Sequence, residues 1–302
     1  MYEQFFEMKN TPFARDIPPE ELYESPYVAN ALGRLTYAAD RQLFAVVTAD
    51  AGCGKSTLIR SFVASLPREE YIFLYLSDSK LTPRWFYKGL LDQLGIESKF
   101  YRGDAKRQLQ KEVEIIRGVQ KKKVVCILDE AHLLEKETIE EFRFLLNYRF
   151  DSMSPMALVL VGQTELWEKL KLQRYAAVRQ RIDINCVLPH LDCSETASYI
   201  QSHLTYAAGR IDIFTDKALD EIHKESSGIP RRINRIAEKS LMYAYQQSKR
   251  LIDEHMVRYV VEHEMLQGVR RHIVGGANRT LFSVDLPPRW CRTGTCRRLQ
   301  SE

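Results

Sequence analysis

In the stretch TADAGCGKST, residues 48–57, closely spaced small residues lead into a lysine and two hydroxyl residues. This spacing lets backbone N–H groups fold around a phosphate while one cation neutralises it. The pattern G-x-x-x-x-G-K-[ST] asks for Gly at 49 and 54, Lys at 55 and Ser or Thr at 56. Three of the four positions hold, and Ala49 replaces the first glycine. Gly52 and Gly54 matter more to the cradle, because a side chain there would obstruct the N–H groups. Ala51, Gly52, Cys53, Gly54, Lys55, Ser56 and Thr57 therefore form a candidate nucleotide site. Lys55 is expected on the β- and γ-phosphates and Ser56 on Mg²⁺, with the dipole of the following helix aimed at the anion.

About seventy residues on, KKKVVCILDEAHLL ends an apolar run in two acids. Carboxylates at a buried strand end are costly unless solvated or bound to a cation. Asp129 is expected in the Mg²⁺ sphere and Glu130 as the carboxylate that polarises a water. The letters DEAH also occur in helicases, but the chain is too short for two such motor domains. His132 is read as a surface residue at a helix start. Gln163, in VGQTEL, falls at the carboxyl edge of a further strand, where ligands of open α/β folds bind. Arg179 and Arg181, in VRQRI, are alternative candidates for a finger reaching a neighbouring subunit's nucleotide. Arg231, in GIPRRIN, would open a helix and bridge to the phosphates.

Holding these groups together requires a sheet. Five β-rich runs, at 43–48, 71–77, 124–129, 157–162 and 184–188, alternate with helix-length segments, the pattern of a parallel sheet with crossover helices. The fold class is α/β, a five-stranded P-loop sheet with helices on both faces, followed by a small all-helical domain. From 194 onward only helical periodicity remains, broken at Gly209, Gly228 and Pro230. The expected boundaries are an extended arm at 1–25, the α/β domain at 26–192, the helical domain at 193–268 and a poorly ordered basic tail at 269–302.

Composition narrows the partners. Hydrophobic residues make up 45% and the net charge is +4. The segment 269–302 holds seven arginines against Asp285 and Glu302, leaving residues 1–268 near neutrality. Nucleic-acid binding must then rest on a local patch. The candidate is Arg84, Lys88, Lys99, Arg102, Lys106 and Arg107. The longest apolar runs are far shorter than the roughly 20 residues of a membrane helix. Scattered cysteines and a polar start point to the reducing cytoplasm. Cys291 and Cys296 lack the second ligand pair of a zinc site.

Together these motifs, in this order, resemble the AAA+ ATPases and, within them, the ExeA/TniB/TnsC-like group. The opening NTPFARD, AGCGKST, ILDEAH, VLVGQTEL, VRQRI and GIPRRIN carry the resemblance over roughly residues 1–267. It implies ATP and Mg²⁺ as ligands, with Gly54, Lys55, Ser56 and Thr57 on the nucleotide and Asp129 and Glu130 on metal and water. It further implies sensor roles for Gln163 and Arg231 and a finger at Arg179 or Arg181. The segment 81–95 resembles the helical insertion of initiator-type AAA+ proteins, which faces DNA. Two settings stay open: a homo-oligomeric ring or filament on duplex DNA that serves a DDE transposase, or a secretion-type or other protein-remodelling ATPase. The lack of a membrane span and of a second globular domain favours the transposase helper.

Overall fold

The computed structural model describes residues 1–77, 81–145 and 154–265. Five strands, β1 (Phe44–Thr48), β2 (Tyr71–Leu76), β3 (Lys123–Leu128), β4 (Ala157–Gly162) and β5 (Ile184–Val187), form one parallel sheet in the order β2-β3-β4-β1-β5. Ten helices of eight or more residues accompany them among the described residues. They are α1 (Pro26–Arg41), α2 (Lys55–Ser65), α3 (Pro83–Gln93), α4 (Arg102–Ile115), α5 (Lys136–Leu145), α6 (Thr164–Lys171), α7 (Cys193–Tyr206), α8 (Asp216–Ser226), α9 (Pro230–Gln246) and α10 (Glu254–His263). The five expected strands and the expected helical segment after residue 193 are all present.

The sheet is apolar on both faces because helices cover both, so its strands read as continuous hydrophobic runs. Alternation then sorts the residues. Phe44, Val46, Cys126, Leu158 and Leu160 pack with α3, α4, α5 and α6. Ala45, Val47, Val125, Ile127 and Val159 pack with α1 and α2 on the other side. Local chemistry starts the helices. Ser25 accepts the Val28 amide ahead of Pro26, and Asp192 and Glu195 form a reciprocal capping box on α7.

Residues 1–265 belong to one compact unit, within which the helices after β5 have their own apolar core. That core also takes in the start of the chain. Tyr2, Phe6, Met8 and Phe13 are buried among residues of α7, α9 and α10. The opening segment is irregular, with one helical turn at Tyr2–Phe5 and a 3₁₀ turn at Pro19–Glu21. The sequence predicts an extended arm rather than a helix; the short turn at Tyr2–Phe5 departs from this, with Tyr2 and Phe6 buried in the helical core. Phe13 stacks on the His203 ring at 5.2 Å, and His203 Nδ1 lies 2.6 Å from the Pro12 carbonyl oxygen. Burial pushes the His203 imidazole below its usual pKa, which keeps this ring neutral against the arm.

The joint between sheet and helices is tight at Gly228. Its φ is +69°, and a Cβ there would sit 2.0 Å from the Leu191 carbonyl oxygen. The Leu191 amide in turn donates to the Gly228 carbonyl at 2.9 Å. Gly228→Ala is therefore expected to cost about 2 kcal/mol or more of stability. Denaturant titration checks this, and an unchanged midpoint would show that the joint has slack.

Candidate functional site

The strand order places the predicted groups along one edge. β4 lies between β1 and β3, so Gln163, which follows β4, stands between the loop after β1 and the acids after β3. Gly52 and Gly54 have φ of +91° and +89°, the conformation that only glycine adopts without strain. Ala49 is not among the residues with positive φ. The missing first glycine is thus no backbone defect: Ala49 extends β1, its amide donating to the Gly162 carbonyl at 3.3 Å.

The loop ends in a restrained cation. Lys55 is 8% exposed, and its Nζ donates to the carbonyls of Ala49 at 2.8 Å and Asp50 at 3.0 Å. Burial holds its pKa below the ordinary lysine value, with the charges of Glu130, Asp129 and Asp50 opposing that shift. A desolvated ammonium held by neutral carbonyls at an open cleft fits a polyanion. Beside it, no atom lies within 4 Å of where a Gly54 Cβ would project. The Asp50 carboxylate faces the other way. It accepts from the Thr164 hydroxyl at 2.5 Å and lies 2.9 Å from His190 Nε2, contacts that hold it below the usual carboxylate range. This loop residue thereby ties α6 and the β5–α7 connection to the phosphate loop.

A cleft of about 1270 Å³ gathers Ala51 through Thr57 with Glu130, Gln163 and Arg231. Asp129 is not on its wall. It lies in an adjoining groove of about 440 Å³ that it shares with Ser56 and Tyr75, so Ser56 borders both spaces. A hydroxyl and a carboxylate sharing one groove are the oxygen donors that Mg²⁺ takes together with phosphates. Asp129 Oδ1 accepts the Glu130 amide at 2.8 Å and Oδ2 accepts the Tyr75 hydroxyl at 2.8 Å. Burial, and then the Asp129 hydrogen bond, push the Tyr75 phenol up to about 12, so it stays a donor. Glu130 has a φ of +52°, an uncommon geometry for a side chain of this size, and this turn aims its carboxylate into the cleft.

The helices after β5 close the other side. Pro230 opens α9, the Arg231 amide donates to the Gly52 carbonyl at 3.1 Å, and a Cβ on Gly52 would lie 2.9 Å from Arg231 Cβ. Residues not anticipated from the motifs also line the cleft, among them Phe13, Arg15 and Tyr23 of the arm and Tyr199 and Asn234 of α7 and α9. Only the aromatic content of the arm hinted at this. His132, read as a surface residue, has a side chain only 9% exposed. Its Nδ1 accepts the Gln163 amide at 3.4 Å and lies 3.5 Å from the Glu130 carboxylate, stitching the ends of β3 and β4 together.

The arginines and the basic cluster divide. Arg179 and Arg181 do not line the cleft. Arg179 donates to the carbonyls of Leu170 and Lys171 at the end of α6, and Arg181 is also engaged. In the basic cluster, Arg102 and Lys106 lie 3.2 and 3.9 Å from the buried Glu141, and Arg107 lies 3.5 Å from Asp104. Arg84 and Lys88 lie over the rings of Phe100 and Trp85, at 4.2 and 4.8 Å. The Lys99 amide donates to Gln108 Oε1 at 3.1 Å. The tail arginines, Cys291 and Cys296 lie outside the described residues. No helix among the described residues is long and apolar enough to cross a membrane.

Comparison with known proteins agrees with this geometry. Residues 38–170 match the family described as AAA domain. The chain is 32% identical over 252 residues to "General secretion pathway protein A" of Aeromonas hydrophila, a match that covers 81% of this chain and 45% of that protein. The chain thus spans less than half the length of this relative. Among solved structures, Cdc6p of Pyrobaculum aerophilum superposes with a TM-score of 0.65 at 17% identity, over 85% of this chain and 71% of that one. The Aeropyrum pernix ORC1 protein in complex with DNA gives 0.60 at 13%, over 84% and 68%. The resemblance to the AAA+ ATPases, and the AAA+ fold with its helical C-terminal part, are borne out.

Because Arg179 supports the last carbonyls of α6, Arg179→Ala is expected to lower stability by about 1 kcal/mol. Thermal or urea denaturation reads this directly. An unchanged midpoint would free Arg179 from that structural duty.

Proposed function

We propose that this chain, which carries an AAA domain in the AAA+ fold, binds ATP with Mg²⁺ and hydrolyses it as a homo-oligomer. The observation that supports this most is the convergence of Lys55, Ser56, Glu130, Gln163 and Arg231 on one cleft. In this reading the amides of Ala51 to Thr57 and the Lys55 ammonium hold the phosphates, while Ser56 and Asp129 hold the metal. Mg²⁺, when bound, neutralises charge developing on the transferred phosphoryl group. Glu130 orients the attacking water and takes its proton, and Gln163 and Arg231 contact the γ-phosphate. Residues 26–192 act as the ATPase domain, 193–268 as its lid and 1–25 as an arm that secures the lid. A finger from a neighbouring subunit comes from Arg179 or Arg181, released from its present contacts on assembly.

The finer role we propose is a DNA-loaded helper of a DDE transposase. Its support is the face of α3, where Arg84 and Lys88 lie against the half-exposed Trp85 and the exposed Phe100. With Arg102, Lys106 and Arg107 next to carboxylates, Arg84, Lys88 and Lys99 carry most of that patch. A secretion-type ATPase is the second reading, favoured by the likeness to General secretion pathway protein A.

Glu130→Gln is expected to keep ATP affinity while lowering turnover at least about a hundredfold, since the amide keeps the shape and loses the base. Near-normal turnover would remove Glu130 from the reaction. Duplex DNA binding separates the two roles. Arg84→Ala with Lys88→Ala should weaken binding on all sequences alike and flatten the log affinity against log salt slope by about 0.9 per lost phosphate contact. Absence of ATP-dependent duplex binding by the unmodified chain would favour the secretion-type reading.

A further inference from the structure

The Tyr75 hydroxyl on Asp129 belongs to a longer chain of contacts that reaches the outside of the molecule. In the parallel pairing of β2 with β3, Tyr75 stands opposite Ile127. Successive strand residues alternate faces, so Asp129, two residues beyond Ile127, projects on the same side as the Tyr75 ring. The Asp129 amide extends the ladder by donating to the Leu76 carbonyl at 2.8 Å. The phenol can therefore reach the carboxylate across one strand spacing without bending either backbone.

Tyr75 is itself fixed from the open edge of the sheet. β2 is the edge strand, and an edge residue normally leaves its outward N–H and C=O to water. Here the Gln93 side-chain amide takes both. Its Oε1 accepts the Tyr75 amide at 2.8 Å, and its Nε2 donates to the Tyr75 carbonyl at 2.8 Å and to the Gly89 carbonyl at 3.2 Å. The same helix is pressed onto the next strand residue, because a Cβ on Gly89 would meet Leu76 Cδ2 at 2.8 Å. Gln93 and Gly89 both belong to α3, which carries Arg84, Trp85 and Lys88.

We propose that Tyr75 is a positioning residue for Asp129, holding the carboxylate toward the groove it shares with Ser56, and that Gln93 acts through Tyr75. This rests on the reading of Ser56 and Asp129 as the Mg²⁺ ligands. With one oxygen on the Glu130 amide and the other on the phenol, the carboxylate plane is set before any metal arrives. Loss of the hydroxyl frees it to rotate, and the metal must then order it. Groups that orient a metal ligand by hydrogen bonding commonly contribute about tenfold or more to metal affinity.

The test is the affinity of a fluorescent, non-hydrolysed ATP analogue, measured in EDTA and across a Mg²⁺ titration. Tyr75→Phe should leave the affinity in EDTA unchanged and raise the Mg²⁺ concentration for half-maximal tightening by about tenfold. Gln93→Ala should raise it less, and the double variant should match Tyr75→Phe alone, since one residue acts through the other. A role confined to packing would lower the melting temperature and leave the Mg²⁺ midpoint where it was. If Tyr75→Phe folds poorly, Gln93→Ala, which leaves the site's side chains in place, carries the comparison. An unchanged midpoint in the variants overturns the proposal, as does full additivity of the two substitutions for the Gln93 part. Failure of the unmodified chain to bind the analogue, or to respond to Mg²⁺, would instead overturn the ATPase reading and this proposal with it.

Discussion

A phosphate loop is made of backbone, and its shape depends on positions where no side chain can stand. At Gly52 two demands coincide: a left-handed φ that turns the peptide toward the cleft, and an approach of α9 so close that a Cβ would strike the Arg231 side chain. The hydrogen bond from the Arg231 amide to the Gly52 carbonyl closes the same seam. The loop after β1 and the first turn of α9 are therefore one piece of structure, although about 180 residues separate them in the chain. A ligand that shifts the loop is expected to shift the start of α9 with it.

Around that seam, charge is handled by partial desolvation and fixed dipoles. Lys55 is buried against carbonyls, which costs free energy that an anion in the cleft would offset. Asp129 has its oxygens on the Glu130 amide and the Tyr75 hydroxyl, and Asp50 is turned away from the cleft toward Thr164 and His190. The acid at Glu130 is set apart by an unfavourable backbone conformation, the kind of local strain that surrounding structure must support. Support comes from His132, which joins the turn after β3 to the start of α6, and from Lys169, which donates to the His132 carbonyl.

How much of this the sequence discloses depends on whether the information is local. The five strands were legible because a sheet covered on both faces needs unbroken apolar runs, and the helices after β5 because their periodicity is broken at Gly209, Gly228 and Pro230. The phosphate loop and the acid pair were legible because their residue types follow strand ends at short range. What stayed hidden depends on tertiary neighbours. Nothing in the order of residues says that the Gln93 amide covers the edge of β2, or that Arg102 and Lys106 turn toward Glu141 from a helix distant in sequence. His132 was misjudged for the same reason, since its burial is decided by α6 and β4. The arm was legible as aromatic and irregular, but its place on the cleft wall follows from the packing of Phe13 on His203.

The central claim is that loop and lid form a single nucleotide-responsive unit, and amide hydrogen exchange of the unmodified chain, with and without Mg²⁺ and a non-hydrolysed ATP analogue, tests it most directly. The account predicts that protection rises together at residues 49–57 and at 229–235. Protection confined to 49–57, with 229–235 exchanging as before, would contradict it.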